Sequence, residues 1–229
     1  MKKMFEKRIN IFTGHFGSGK TEVAVNYALK LAEADYKTAI VDFDIVNPFF
    51  RTADAKEELE RNNIWVILPM YANTNVDVPA IPPEVYAMFQ KKEYKAVLDV
   101  GGDDLGAKAV SRFREEILSD DYEMYFVINT RRGMTDTPEK IMEMISLVEE
   151  SANIKVTRLV NNTNLLEETT PEILLEGNRI ISKVSEKLGI PIGITAGMEE
   201  VVENMIGEML GGSCILPMTK QIHLPWNKG

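Results

Sequence analysis

Short apolar runs rich in Val and Ile alternate along this chain with longer stretches in which apolar positions recur every three or four residues. The first pattern fits strands and the second fits amphipathic helices. Their repeated alternation predicts an α/β fold, with a mostly parallel central sheet and helices on both faces. Strands are expected at 9–13, 38–42, 64–68, 96–99, 124–129, 157–161 and 191–195. Several are almost continuously apolar, as strands covered on both faces must be. Helical stripes run through Ala24, Tyr27, Ala28 and Leu31, then through Ile141, Met144, Ile145 and Val148. Two more follow, through Ile173, Leu174, Ile180, Ile181, Val184 and Leu188 and through Val201, Val202, Met205, Ile206 and Met209. Their methionines are expected as core filler. Between Pro69 and Pro83 a proline-rich, turn-prone run reads as a long ordered surface loop.

Composition narrows the class. The 229 residues show no internal repeat, low-complexity tract or Gly/Ser linker, so 1–229 is expected to form one domain. No apolar run approaches the roughly 20 residues of a membrane-spanning helix. The basic N-terminus leads into a strand-like segment and no secretory signal, and a cytoplasmic protein is expected. A net charge of -9 without a dense Lys/Arg stripe argues against nucleic acid as a partner. The single cysteine, Cys214, excludes an internal disulfide and cannot alone supply a zinc site or an iron–sulfur cluster; packing is its expected role.

The chemistry concentrates in three places. Gly14, His15, Phe16, Gly17, Ser18, Gly19, Lys20 and Thr21 spell Gly, four residues, Gly-Lys-Thr, between an expected strand and an expected helix. This is a P-loop, and it predicts a P-loop NTPase fold. The glycines let backbone N–H groups wrap an anion, and the following helix adds its positive end. Lys20 is expected on the β- and γ-phosphates and Thr21 on Mg²⁺. The bare pattern arises by chance on the order of once in a hundred chains of this length, so its place between strand and helix carries much of the inference. A second strand runs Ala-Val-Leu into Asp99, the acid expected to hold the Mg²⁺ shell, and Gly102 follows at the spacing of a phosphate-sensing switch. The third place is Asp42-Phe43-Asp44, with two carboxylates on one side of an extended chain. One can support Mg²⁺ while the other faces an attacking water, and phosphoryl transfer needs little more from protein.

With these three elements in this order, the chain resembles the MinD/ParA/nitrogenase-iron-protein class over nearly its whole length. The resemblance implies that Asp44 orients the hydrolytic water and that Asp42 and Asp99 lie near Mg²⁺. It implies that Asn162, or else Asn161, contacts adenine, and that 195–198 form a loop over the base. An asparagine amide offers both a donor and an acceptor to a purine edge. The chain has no Asn-Lys-x-Asp guanine signature, which favours ATP and ADP over guanine nucleotides.

Three departures stand out. Members of the class carry a signature lysine where this chain has His15, so either His15 partly substitutes, or Arg51, Arg131 or Arg132 does, or the nucleotide-dependent homodimer of the class works differently. No terminal basic amphipathic helix is visible, so membrane binding is not expected. Paired cysteines are absent, which sets the chain apart from the iron-protein and cluster-carrier branches. His223 and Trp226 read as terminal packing groups. Three functions compete: a Mg-dependent ATPase switch with a protein partner; an ATP-dependent ligase of the dethiobiotin synthetase or cobyrinic acid amide synthase type, with a second pocket built from 69–83 and Arg131-Arg132; and a nucleotide-binding module that hydrolyses nothing.

Overall fold

The structure is a computed structural model that describes residues 2–44, 51–69, 81–102, 104–205 and 212–222. Eight strands form one sheet: β1 (Ile9–Thr13), β2 (Thr38–Phe43), β3 (Trp65–Ile67), β4 (Lys95–Val100), β5 (Tyr122–Ile128), β6 (Arg158–Asn161), β7 (Ile192–Met198) and β8 (Cys214–Met218). Every neighbouring pair is parallel, in the order β3-β2-β4-β1-β5-β6-β7-β8. The eighth strand was not expected. Its sequence, Cys-Ile-Leu-Pro-Met, contains Pro217, which removes a ladder donor and is tolerated because β8 lies at an edge with β7 as its partner.

Strand alternation distributes the core between two faces. Ile9, Ile11, Val41, Leu98, Met124 and Phe126 share one cluster with Val85 and Met88 of α3 (Glu84–Gln90) and Ala107 and Val110 of α4 (Asp104–Ser111). The same cluster takes Ile117 of α5 (Arg114–Leu118), Ile141, Ile145 and Val148 of α6 (Pro138–Ala152) and Ile181 and Val184 of α7 (Pro171–Leu188). Phe12, Ile40, Val97, Tyr125 and Val127 belong to a second cluster with Val23, Ala24, Tyr27, Ala28 and Leu31 of α1 (Lys20–Glu33) and Leu59 of α2 (Lys56–Arg61). Burying each Val, Leu, Ile, Phe or Met among them contributes about 1.5–3 kcal/mol.

Local signals set the helix ends. Thr137 caps α6 by accepting the Lys140 N–H, with Pro138 at the first helical position, and Asn153 closes it in the left-handed region at φ 53°. Pro171 opens α7 and Gly189 ends it at φ 69°. Of the last expected stripe, the structure describes α8 (Glu199–Val202) and a 3₁₀ turn to Met205, while Ile206 and Met209 lie outside the described residues. Of the stripe methionines, Met205 is buried in the core and Met144 is partly buried against it.

From β1 the chain runs outward to β2 and β3, returns to β4 on one side of β1, and then crosses to β5 on the other. Strand order therefore reverses at β1. In open α/β sheets a ligand crevice forms outside the C-terminal strand ends at such a reversal, and here the glycine-rich turn occupies it.

Candidate nucleotide site

The backbone leaves β1 at Thr13, turns through 14–19, and enters α1 at Lys20. Gly19 is the helix N-cap, in the left-handed region at φ 81°, and a side chain there would collide with the Asn162 amide. The loop closes on itself through the Ser18 N–H, which donates to the His15 carbonyl at 3.0 Å.

Lys20 is buried, and its Nζ lies 2.7 Å from Asp44 Oδ2. Burial pulls its pKa down, but Asp99, Asp44 and Asp42 together hold it above the ordinary lysine value. Asp42 and Asp99 are direct neighbours across β2 and β4. Asp42 Oδ1 accepts the Asp44 N–H at 2.9 Å, and Asp99 Oδ2 accepts the Thr52 hydroxyl at 3.1 Å. Their other oxygens, Asp42 Oδ2 and Asp99 Oδ1, are buried and accept no hydrogen bond among the described residues; Ser18 Oγ is likewise unpartnered. Burial, then Asp99 and Asp44, push Asp42 up to about 8 against the pull of the Asp44 N–H and Arg51. Burial also raises Asp99, with Lys20, Thr21 and Thr52 drawing it back.

Two buried, unpartnered carboxylate oxygens in one cluster are costly. A hard cation satisfies them, and the Asp42, Asp99 and Thr21 oxygens have the chemistry of Mg²⁺ ligands. Among the described residues no group of three or more His, Cys, Asp or Glu forms a cage, so a metal here takes its remaining ligands from water or phosphate. The residues fit Mg²⁺ on those terms.

Gly102 packs against the loop so closely that a Cβ on it would overlap the Gly14 carbonyl. The segment after β4 thus lies on the P-loop backbone. Of the two candidate asparagines, Asn162 reaches the P-loop: it is buried and its Nδ2 donates to the Ser18 carbonyl at 2.7 Å. Asn161 instead donates to Leu174 O in α7 and accepts the Thr163 N–H. The expected base loop at 195–198 is corrected, because these residues belong to β7, which pairs with β8 through Met198. Sequence reasoning also missed Asn129. Expected to end a strand, it is a buried hub whose Oδ1 accepts the Arg131 and Asn164 N–H groups, joining the loops after β5 and β6.

The residues weighed against His15 separate clearly. His15 Nδ1 lies 2.9 Å from the Phe16 carbonyl, which accepts. Arg131 pairs with Glu176. Arg132 Nε donates to the Gly17 carbonyl at 3.2 Å. Arg51 is buried and offsets the charge of Asp42. Phe16 is 66% exposed and presents an apolar ring at the loop's rim. Residues 45–50, 70–80 and 103, which hold parts of the expected switch and second-pocket segments, lie outside the described residues, as do His223 and Trp226.

A family model described as ParA, NUBPL iron-transfer P-loop NTPase, matches residues 4–160. The chain belongs to that family. It is a nucleotide-binding P-loop protein of the MinD/ParA-like group. Among curated proteins it is 27% identical to a cytosolic Fe-S cluster assembly factor Nubp2 homolog of Anopheles gambiae, over 80% of this chain and 65% of that protein. It is 25% identical, with the same coverage, to the Nubp2 homolog of Aedes aegypti. The chain thus spans about two thirds of the length of these relatives. Among solved structures, FtsY from Mycoplasma mycoides superposes with TM-score 0.56 at 21% identity, covering 85% of this chain and 63% of that one. FtsY from Elizabethkingia anophelis gives 0.52 at 16% identity, covering 94% and 63%. Both show the P-loop NTPase fold. The expected distance from the cluster-carrier branch is corrected: a lone cysteine limits what one chain can ligate, but it does not mark descent, and the curated relatives carry cluster-assembly names.

Proposed function

We propose that this protein is a Mg-dependent ATPase, acting as a nucleotide-driven switch on a protein partner. The observation that carries this reading is the buried cluster of Lys20, Asp44, Asp42 and Asp99 directly beneath the P-loop. Lys20 exchanges Asp44 for the β- and γ-phosphate oxygens of ATP, and the P-loop N–H groups surround the β-phosphate. Released from Lys20, the Asp44 carboxylate accepts a hydrogen bond from a water and aligns it with the γ-phosphorus. The water oxygen bonds to phosphorus as the β–γ bridging P–O bond breaks, ADP leaves, and the water's protons end on phosphate and solvent. Thr21, Asp42 and Asp99 would hold Mg²⁺, which would supply charge neutralisation at the phosphates. Asn162 faces the nucleotide from the loop after β6.

The positions of these groups support the switch reading. Asp44 directly follows β2, Asp99 lies in β4, and Gly102 rests on the Gly14 backbone, so loss of the γ-phosphate would be felt at Asp44 and at Gly102. The names of the relatives suggest a setting in iron–sulfur cluster assembly, in the cytoplasm. This chain carries one cysteine, so a cluster handled there takes its other thiolates from the partner or from a second copy in a nucleotide-dependent homodimer. Phosphate release from Mg-ATP tests the reading. Wild-type protein is expected to turn over, and Asp44→Ala to bind ATP while its turnover falls about a hundredfold or more. Equal turnover by the two proteins would remove Asp44 from the chemistry.

A further inference from the structure

The charges around the phosphate site do not balance within the P-loop itself. Asp42, Asp44 and Asp99 gather about the Lys20 ammonium, with Arg51 buried beside Asp42, and a nucleoside triphosphate with Mg²⁺ brings further negative charge. A second cation within reach of the phosphates would lower that cost. We propose that Arg132 is this cation: a phosphate-contacting residue that acts from the same chain and favours a triphosphate over a diphosphate.

Arg132 lies on the loop itself. Its Nε donates to the Gly17 carbonyl, and its Nε and Cζ sit 3.4 and 3.7 Å from where a Cβ on Gly17 would be. The side chain is exposed, and among the described residues its guanidinium makes no other hydrogen bond or ion pair. A guanidinium has five N–H donors in a rigid fork, so one bond to Gly17 leaves the Nη donors for phosphate oxygens. The backbone beneath it is fixed. The Arg132 N–H donates to Asn129 O at 3.1 Å, and its carbonyl accepts the Thr135 N–H at 2.9 Å. The buried Thr135 hydroxyl donates to Asn129 O at 2.8 Å. Much of the ordering cost is therefore met before a ligand arrives. The neighbouring cations are differently engaged, Arg131 with Glu176 and Arg51 beside Asp42.

The proposal rests on the nucleotide reading above, and its test separates the two. Affinities for ADP and for a triphosphate with a non-hydrolysable β–γ bridge, both with Mg²⁺, are measured by calorimetry on wild type, Arg132→Ala, Arg132→Gln and Lys20→Ala. The Gln variant retains an N–H for the Gly17 carbonyl but carries no charge. If Arg132 contacts the terminal phosphate, both Arg132 variants lose about tenfold or more in triphosphate affinity and less than about threefold in ADP affinity. Equal losses for both nucleotides, or rescue by Gln, would make Arg132 a brace for the loop and overturn the proposal, as would no change at all. Turnover by an equimolar mixture of Arg132→Ala and Lys20→Ala is expected to stay at the level of the separate variants. Recovery in the mixture would show that the arginine acts across a dimer and would overturn the same-chain assignment. A wild type that binds with the predicted selectivity but releases no phosphate would sink the ATPase reading and leave Arg132 standing.

Discussion

Two clusters of charge sit at opposite ends of the same strands and are built on opposite principles. At the N-terminal edge, Arg8 pairs with Asp120 and donates to Tyr94 O, while Lys92 also pairs with Asp120. Nearby, Lys95 donates to the carbonyls of Phe5 and Lys7 at 2.6 and 2.9 Å. Burial works against the Asp120 charge, but Arg8, Lys92 and the Asp121 N–H outweigh it and hold the carboxyl down at about 2. At the C-terminal edge, Asp42 and Asp99 are pushed up, and among the described residues each keeps an unpartnered oxygen. The first cluster is complete as it stands. The second has oxygens that a bound cation would complete, and this difference points to the functional end of the sheet more sharply than burial or charge alone.

The comparison breaks most visibly at Lys20. Lys20→Ala is expected to weaken Mg-ATP binding by about a hundredfold or more, because it removes the ammonium that faces three carboxylates and, on the proposed reading, the phosphates. An equilibrium titration checks it, and binding within a few-fold of wild type would contradict the site.

Next in size are isosteric amides at the two ends, which are expected to move stability in opposite directions. Asp120→Asn strips the charged partner from Arg8 and Lys92 and should cost about 1–3 kcal/mol. Asp42→Asn removes a repelled, buried charge and should stabilise the ligand-free protein at pH 8 by about 1–2 kcal/mol while impairing Mg-dependent turnover. Urea unfolding of both variants beside wild type decides; destabilisation by Asp42→Asn would mean that its carboxylate is already satisfied.

The pH dependence sharpens the same contrast. In the folded protein Asp42 holds its proton up to about 8, whereas the unfolded chain releases it near the ordinary aspartate value of 3.8. Its contribution to stability is therefore full below about pH 4 and is lost as pH rises through about 8, and Asp99 acts in the same direction. Asp120 behaves oppositely: its contribution is present above about pH 4 and is lost as pH falls through about 2. Melting curves from pH 2 to 9 should lose the alkaline decline in Asp42→Asn and part of the acid decline in Asp120→Asn. The smallest expected effect is at Asn162. Asn162→Ala frees the Ser18 carbonyl and should cost about 1 kcal/mol in stability or nucleotide affinity, measurable by the same titration.

The central strands were legible because parallel strands covered on both faces read as apolar runs, and seven of them stand close to their expected positions. The P-loop was legible because its chemistry is local in sequence. What escaped was either short or assembled at a distance. α2, α3, α4 and α5 have 5 to 8 residues each, too few turns for a stripe to declare itself. The edge strand β8 is interrupted by Pro217. Asn129 and Thr52 draw their roles from partners 35 and 47 positions away, Asn164 and Asp99. For Arg132 the sequence offered four candidate residues, and the contact with Gly17, 115 positions distant, distinguishes it.

On the proposed reading, nucleotide and metal together complete the carboxylate cluster beneath the P-loop. The direct measurement is a calorimetric titration of wild-type protein with ATP, once in Mg²⁺ and once in a chelator that removes it. Saturable binding is expected in Mg²⁺, weakened about tenfold or more in the chelator, since Asp42 and Asp99 would then face the phosphates without an intervening cation. No binding in Mg²⁺, or equal affinity in both buffers, would contradict it.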